Sequence, residues 1–206
     1  MEVDAVATAF LFYLIVPLWL GAGFADWAFH RRTRIESTSG FPESALHAVM
    51  LAEVGIPMLA VIFLQINGLV MALLLASLLA HTITTYADLR WTHGRREIGP
   101  GEQMAHGLLE VLPLLTVSFA VIGSWPVTLT LFGFGDQPPD FRLRLREVPL
   151  LSPAWGMVLA VLVILTIGLY LEELVRTIKG ATTRQHLGEP QRAGTTGPGR
   201  ADHPLA

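Results

Sequence analysis

The sequence predicts an all-α integral membrane protein: a bundle of five transmembrane helices, with a short β-hairpin outside the membrane between the fourth and fifth helices. The chain of 206 residues is 52% hydrophobic and 15% charged, with a mean hydropathy of +0.51, whereas soluble domains are about 25% charged. Five apolar runs are long enough to cross a hydrocarbon core of ~30 Å. Residues 1–179 are therefore expected to form one transmembrane domain.

The five predicted spans cover about residues 5–24, 45–64, 69–87, 105–122 and 154–171. The first is expected to be a membrane span and not a signal peptide, because acidic Glu2 and Asp4 stand where a signal carries basic residues. Pro57 and Pro113 lie inside the second and fourth spans. Proline removes a backbone hydrogen bond, so both helices are expected to kink and to leave a carbonyl without its usual donor.

Two segments lie outside the spans. Residues 127–148 contain two alternating runs, VTLTLFGF and FRLRLREV, around the turn GDQPPD, a pattern typical of a β-hairpin. Its apolar residues Phe141, Leu143 and Leu145 are expected to rest on the helix ends. Residues 180–206 are rich in Gly, Pro, Thr, Gln and Arg, which predicts a disordered tail.

The loop charges predict the orientation. Basic clusters follow the first, third and fifth spans, and the opposite side carries only Arg142, Arg144 and Arg146. By the positive-inside rule the N-terminus lies outside and the C-terminus in the cytoplasm. The expected location is the bacterial inner membrane, with membrane lipid as the partner.

Composition excludes several classes of function. The chain has no cysteine, which excludes disulfide scaffolds, thiolate zinc sites and cysteine nucleophiles. A net charge of -3 with dispersed arginines gives no nucleic-acid footprint. No GxSxG, phosphate-binding loop or dinucleotide fingerprint is present. Histidine and carboxylate are the strong ligand types that remain.

Histidines and carboxylates gather at the cytoplasmic ends of the first four spans, while the outer halves of these spans hold almost none. Three pairs occur in the motifs DWAFH, ESALH and EQMAH, and residues four apart share one face of a helix. The candidate metal ligands are Asp26, His30, Glu43, His47, Glu53, His81, Asp88, Glu102, His106 and Glu110.

Glu53, His81 and Glu110 are the deepest of these residues, roughly 10 to 15 Å below the interface at ~1.5 Å of rise per residue. A carboxylate at this depth is costly unless it is protonated, paired or metal-bound. His81 and Glu110 are the expected partners of Glu53.

The donor set favours a metal site, of two ions, because helical bundles that project carboxylates and histidines inward bind di-iron and di-manganese centres. Ligands without thiolate suit iron, manganese or zinc, and the spare carboxylates favour iron as a redox-active pair. An apolar pocket beside the acyl chains would then favour oxidation of a lipid-like substrate. With no soluble domain of its own, such an oxidoreductase would need a separate reductase.

In layout the chain weakly resembles membrane fatty acid desaturases and alkane hydroxylases, which gather iron ligands at the cytoplasmic ends of a few spans. It is also similar in size and pattern to other bacterial polytopic membrane proteins. The desaturase and hydroxylase families carry HxxxH and HxxHH boxes, whereas each motif here has one histidine. The resemblance is one of arrangement, and it assigns no residue.

Other functions stay open. A zinc-dependent hydrolase could use the same ligands with a carboxylate base. A proton or metal-ion transporter could use Glu53, His81 and Glu110 as a path. In a structural membrane protein, Glu43 and Glu102 would instead cap helix starts and pair with loop arginines. The sequence does not indicate the oligomeric state.

Overall fold

The computed structural model describes residues 2–135 and 137–187. These residues form a bundle of α-helices. The first membrane span comprises α1 (Glu2–Phe10), a π-helical turn (Leu11–Ile15) and α2 (Val16–Thr33). The other long helices are α3 (Phe41–Phe63), α4 (Gly68–Thr92), α5 (Pro100–Gly123) and α7 (Pro153–Leu187), and a short helix, α6 (Trp125–Leu131), follows α5.

Five helical segments are long and apolar enough to cross a membrane, which confirms the number of spans predicted. They are Val6–Thr33, Phe41–Phe63, Gly68–Thr92, Pro100–Gly123 and Pro153–Thr183. Each is longer than the apolar run that predicted it, because the helices continue through ionisable residues, of which Asp26, Glu43 and Asp88 are buried. Helix α7 also includes residues 180–187, and the rest of the predicted tail lies outside the described residues.

The predicted β-hairpin is wrong for the described residues of 127–148. Its first run is helical up to the end of α6, which carries Pro126 in the first turn, where the fixed φ of proline suits a helix. Its second run lies instead along the turn between α3 and α4. The Gln65 N–H donates to the Arg144 carbonyl at 2.9 Å, and the Arg146 N–H donates to the Phe63 carbonyl at 2.8 Å. The extended run thus satisfies backbone groups that the helix ends leave without partners.

The side chains of this run also differ from expectation. Phe141, Leu143 and Leu145 do not rest on the helix ends, since they are 54%, 71% and 71% exposed. The polar turn holds the run instead. The Asn67 side chain accepts hydrogen bonds from two N–H groups in the first turn of α4 and donates to the Arg142 carbonyl at 2.7 Å, so one residue both caps α4 and fixes the connection.

Two apolar cores separate this connection from the ionisable residues. One surrounds Phe12, Trp19 and Leu112 between α2, α5 and α7, and the other surrounds Met71 and Val117 between α3, α4 and α5. Large apolar side chains elsewhere on the helices are exposed, as expected of surfaces that face lipid. The chain is therefore a multi-pass membrane bundle with an apolar half and a half that holds buried ionisable groups.

Candidate metal centre

Ionisable residues of five helices meet in the interior at one end of the bundle. The structure brings together seven of the ten predicted ligand residues, from α2, α3, α4 and α5, and adds two residues that the sequence analysis missed, Arg96 and Glu173. The five carboxylates of this group are at most 5% exposed. We call the group the polar cluster: Asp26, His30, Glu43, His47, Asp88, Arg96, Glu102, His106 and Glu173.

Four members lie close together between α2 and α5. Asp26 and His30 are one turn apart on α2, and Glu102 and His106 are one turn apart on α5, so each helix presents its pair on one face. His30 Nε2 lies 3.4 Å from Asp26 Oδ1 and 3.3 Å from Glu102 Oε1. His106 Nε2 lies 2.8 Å from the same Asp26 oxygen. One ligand atom from each residue lies within 4.8 Å of the others, and we call these four residues the first site.

His30 also belongs to a second close group, with Glu43 and His47 of α3, whose ligand atoms again lie within 4.8 Å of one another. The rings of His30 and His47 are stacked, with centroids 4.6 Å apart and planes 6° from parallel. On the far side of His47, Nε2 lies 3.6 Å from Asp88 Oδ1. The two imidazoles therefore stand side by side, each with a carboxylate near its Nε2 atom.

Glu173 of α7 explains why these rings are parallel. Its Oε2 lies 3.1 Å from His30 Nδ1, and its Oε1 lies 3.1 Å from His47 Nδ1. Because an ionised carboxylate only accepts hydrogen bonds, each imidazole donates from Nδ1. In the neutral ring the lone pair then lies on Nε2, which is how a carboxylate orients a histidine for metal binding. In His30 this atom faces Arg96 Nη2 at 3.2 Å.

The burial of Glu173 could have been predicted from a polar stripe along α7. Thr166, Tyr170, Glu173 and Thr177 are spaced at intervals of four, three and four residues and are all buried, as one face of a helix requires. The neighbouring Glu172 points elsewhere, accepting hydrogen bonds from the partly exposed Trp27 and Arg31 side chains. The adjacent glutamates resemble an ordinary charged helix end, although only one of them is at the surface.

Arg96 enters the polar cluster from the loop between α4 and α5. Its Nε donates to the two Glu43 oxygens at 3.0 and 3.2 Å, and its Nη1 donates to Glu102 Oε1 at 2.5 Å. Burial acts to lower the pKa of Arg96, but the two carboxylates outweigh burial and raise this pKa above its usual value. Arg96, a loop arginine, therefore neutralises part of the carboxylate charge. This pairing of Glu43 and Glu102 with a loop arginine is what the sequence analysis expected of a structural membrane protein.

The three deeper predicted ligands lie apart from the polar cluster. Glu53 Oε2 is 3.8 Å from His81 Nδ1, and Thr84, which the sequence analysis did not consider, donates to Glu53 Oε1 at 2.8 Å. Neither Glu53 Oε2 nor His81 Nδ1 has a hydrogen-bond partner in the described part of the chain. The backbone of Leu109 interacts with His81. The Leu109 carbonyl lacks its usual helical donor, because Pro113, four residues later, has no N–H.

A cavity of about 470 Å³ opens beside the polar cluster. Its polar wall includes Asp26, His47, Asp88, Arg96 and His106, and its apolar wall includes Trp19, Met50, Leu51, Leu89 and Leu109. His81 and the exposed Glu110 also line it. A molecule in this cavity would meet ionisable groups on one side and hydrocarbon on the other, as an amphiphile requires.

The polar cluster needs further cations. Its five carboxylates and one guanidinium leave four negative charges when the imidazoles are neutral. Buried charges are costly unless they are compensated. The available compensation is protonation of the imidazoles or binding of metal ions, and the buried histidine and carboxylate groups lie close enough together that they could hold a metal ion.

Comparisons with protein-family models, with curated proteins and with solved structures found no match. The chemistry of the polar cluster and the shape of the cavity are therefore the basis for a functional proposal.

Proposed function

We propose that this protein is a metal-dependent membrane oxidoreductase that acts on a lipid-like substrate. Its metal ion is held by the first site: Asp26, His30, Glu102 and His106. The cavity beside this site receives the substrate. By the positive-inside rule the polar cluster lies on the cytoplasmic side of the inner membrane, where a separate reductase can reach it.

The ligand spacing in the first site carries the proposal. A metal ion with bonds of about 2.1 Å holds neighbouring ligands about 3.0 to 3.4 Å apart in octahedral or tetrahedral geometry. Two contacts between imidazole nitrogens and carboxylate oxygens, at 3.3 and 3.4 Å, fall in this range, and the third, at 2.8 Å, is slightly shorter. Asp26 Oδ1, which takes part in two of them, has no well-directed hydrogen bond among the described residues. Three donor pairs of the first site are thus close to the spacing that a cation needs, and all four donors lie within 4.8 Å of one another.

Arg96 is compatible with a metal in this site. A carboxylate oxygen has two lone pairs, so Glu102 can bind a metal and keep its hydrogen bond to Arg96. The Arg96 Nη2 lies 3.2 Å from His30 Nε2 and must move away when that nitrogen binds a metal. We expect Arg96 to remain on Glu43 through Nε, which contacts both Glu43 oxygens.

Two nitrogen and two oxygen donors, in a chain without cysteine, suit iron, manganese or zinc, and the additional carboxylates nearby favour iron. A bound iron would supply redox chemistry with molecular oxygen. In a hydroxylation, one oxygen atom enters a substrate C–H bond and the other becomes water, with two electrons from the reductase and two protons. The chain's own contribution is to hold the ion, to align an acyl chain along Leu51 and Leu109, and to restrict water.

Elemental analysis of the detergent-purified protein tests the metal assignment. Iron should co-purify with the wild type and be lost in the double variant Asp26→Asn/His106→Gln. His93→Gln is the matched control, because His93 is an exposed histidine at the same end of the bundle that belongs to neither close group. Protein that is metal-free after expression in metal-replete medium, and that binds no added Fe(II), Mn(II) or Zn(II), would overturn the proposal.

The identity of the metal tests the reaction class. Iron absorbs visible light and changes oxidation state, whereas zinc does neither. Protein that selects zinc alone would replace the oxidoreductase with a hydrolase at the same site. For the redox reaction, iron-loaded protein in liposomes is supplied with a chemical reductant and oxygen. Lipid products that have gained an oxygen atom or a double bond, absent with the double variant, are expected in the mass spectrum.

A further inference from the structure

We propose that the polar cluster holds a second metal ion, bound by His47 Nε2 and Asp88 and bridged to the first ion by Glu43. This inference rests on the proposed function, because the first ion occupies the first site. It gives the polar cluster a metal stoichiometry, and it assigns roles to residues of α3 and α4 that the first ion does not need.

The two imidazoles are placed for two adjacent ions. Glu173 holds the Nδ1 atoms of His30 and His47 with its two oxygens. Since the rings are also nearly parallel, their Nε2 atoms face the same side. The ligand atoms of His30, Glu43 and His47 lie within 4.8 Å of one another, and the metals of two-ion sites are about 3.5 to 4 Å apart. One ion beside each imidazole is compatible with this spacing, since the ring centroids are 4.6 Å apart.

Asp88 supplies an independent sign that a cation belongs beside His47. It is 5% exposed, and its Oδ1 has no hydrogen-bond partner within the described residues. This oxygen lies 3.6 Å from His47 Nε2, close to the separation of about 3.4 Å between two ligands of one tetrahedral ion. A metal between the two atoms would satisfy a buried oxygen that otherwise faces a nitrogen lone pair.

The charge of the polar cluster also favours two ions. Two divalent cations would neutralise the four negative charges that five carboxylates and Arg96 leave, whereas one ion would leave two of them buried. Glu43 can act as the bridge because it lies next to both imidazoles. Its Oε2 accepts only from Arg96 Nε and keeps a lone pair, and its Oε1, which accepts from Nε and Nη2, regains one when Nη2 moves away from the first ion. Arg96 then remains as a fixed positive charge.

Metal stoichiometry and the coupling between ions test this inference on the full chain in detergent, loaded anaerobically with Mn(II). The wild type should bind two equivalents, Asp88→Asn one, and the first-site variant Asp26→Asn/His106→Gln at most one. The exposed loop variant Glu97→Gln is the control and should bind two. His47→Gln gives the same test if Asp88→Asn does not yield folded protein, which size-exclusion chromatography will show.

Electron paramagnetic resonance distinguishes a two-ion centre from a second ion elsewhere. Two adjacent Mn(II) ions should give an exchange-coupled spectrum, and Asp88→Asn should give the sextet of an isolated ion. One equivalent in the wild type, lost in the first-site variant, would overturn the second ion and leave the proposed function intact. Two equivalents without coupling would also overturn it. A wild type that binds no metal would overturn both proposals.

Discussion

Replacing Glu173 with glutamine should weaken metal binding without touching a metal ligand. The carboxylate accepts hydrogen bonds from His30 and His47 at 3.1 Å each. A glutamine side chain has nearly the same shape but offers one acceptor oxygen and one N–H₂ group. One imidazole can keep its partner. The other faces an N–H donor, so its proton must move from Nδ1 to Nε2, where it blocks the lone pair that binds metal.

The size of the effect follows from this loss of one oriented ligand. Removing the group that orients a metal-binding histidine lowers metal affinity by about 10- to 100-fold, which corresponds to about 1.4 to 2.7 kcal/mol of binding free energy. Since Glu173 is fully buried, no water is expected to replace it, and we expect the upper part of this range. Titration of metal-free protein with Mn(II), followed by paramagnetic resonance, measures the affinity directly.

Glu172→Gln is the matched control, because Glu172 is the neighbouring residue on α7 and its side chain is 38% exposed. It contacts Trp27 and Arg31 and should leave the Mn(II) affinity unchanged. Equal affinities of the wild type and Glu173→Gln would refute the orienting role of Glu173. An equal loss in both variants would show that the affinity depends on the packing of α7 and not on the two hydrogen bonds.

Three further changes test the other interactions. Arg96→Gln leaves two buried carboxylates without their cation and should lower the free energy of unfolding of metal-free protein by about 3 to 5 kcal/mol. Denaturant titration in detergent measures this change. A loss below about 1 kcal/mol would contradict the pairing of Arg96 with the two carboxylates. Thr84→Val removes the donor to Glu53 and should cost about 1 to 3 kcal/mol at unchanged metal content, whereas Thr82→Val, at an exposed position, should cost much less. Asn67→Ala removes the cap of α4 and should cost about 1 kcal/mol, and an unchanged melting temperature would argue against the cap.

The number of spans and the His30 and His47 motifs could be predicted from the sequence, because hydropathy and helical spacing are local properties. Arg96 could not, because a loop residue gives no periodic signal and its contact with Glu43 depends on how the loop folds back over the helix ends. Glu173 was predictable in principle from the buried polar stripe on α7. Its pairing with the two histidines was not, since the order of helices in the bundle decides it.

The prediction of a hairpin was wrong for a different reason. The alternation in FRLRLREV correctly indicates extended backbone over part of the run. It does not indicate which segment the run pairs with. The turn between α3 and α4, with free backbone groups at Gln65 and Phe63, supplied a partner outside the segment. Pro126 meanwhile favoured a helix in the first run, which removed the partner that the hairpin needed.

The position of Glu173 has a consequence for biosynthesis. It lies on the last span, whereas both imidazoles that it orients lie on the first two. A ribosome therefore delivers the histidines to the membrane well before the residue that aligns them, and nascent chains still lacking α7 hold the two rings without their common acceptor. Assembly of the polar cluster consequently depends on docking of α7 against α2 and α3, and the buried charges of the earlier spans stay incompletely partnered until α7 is in place.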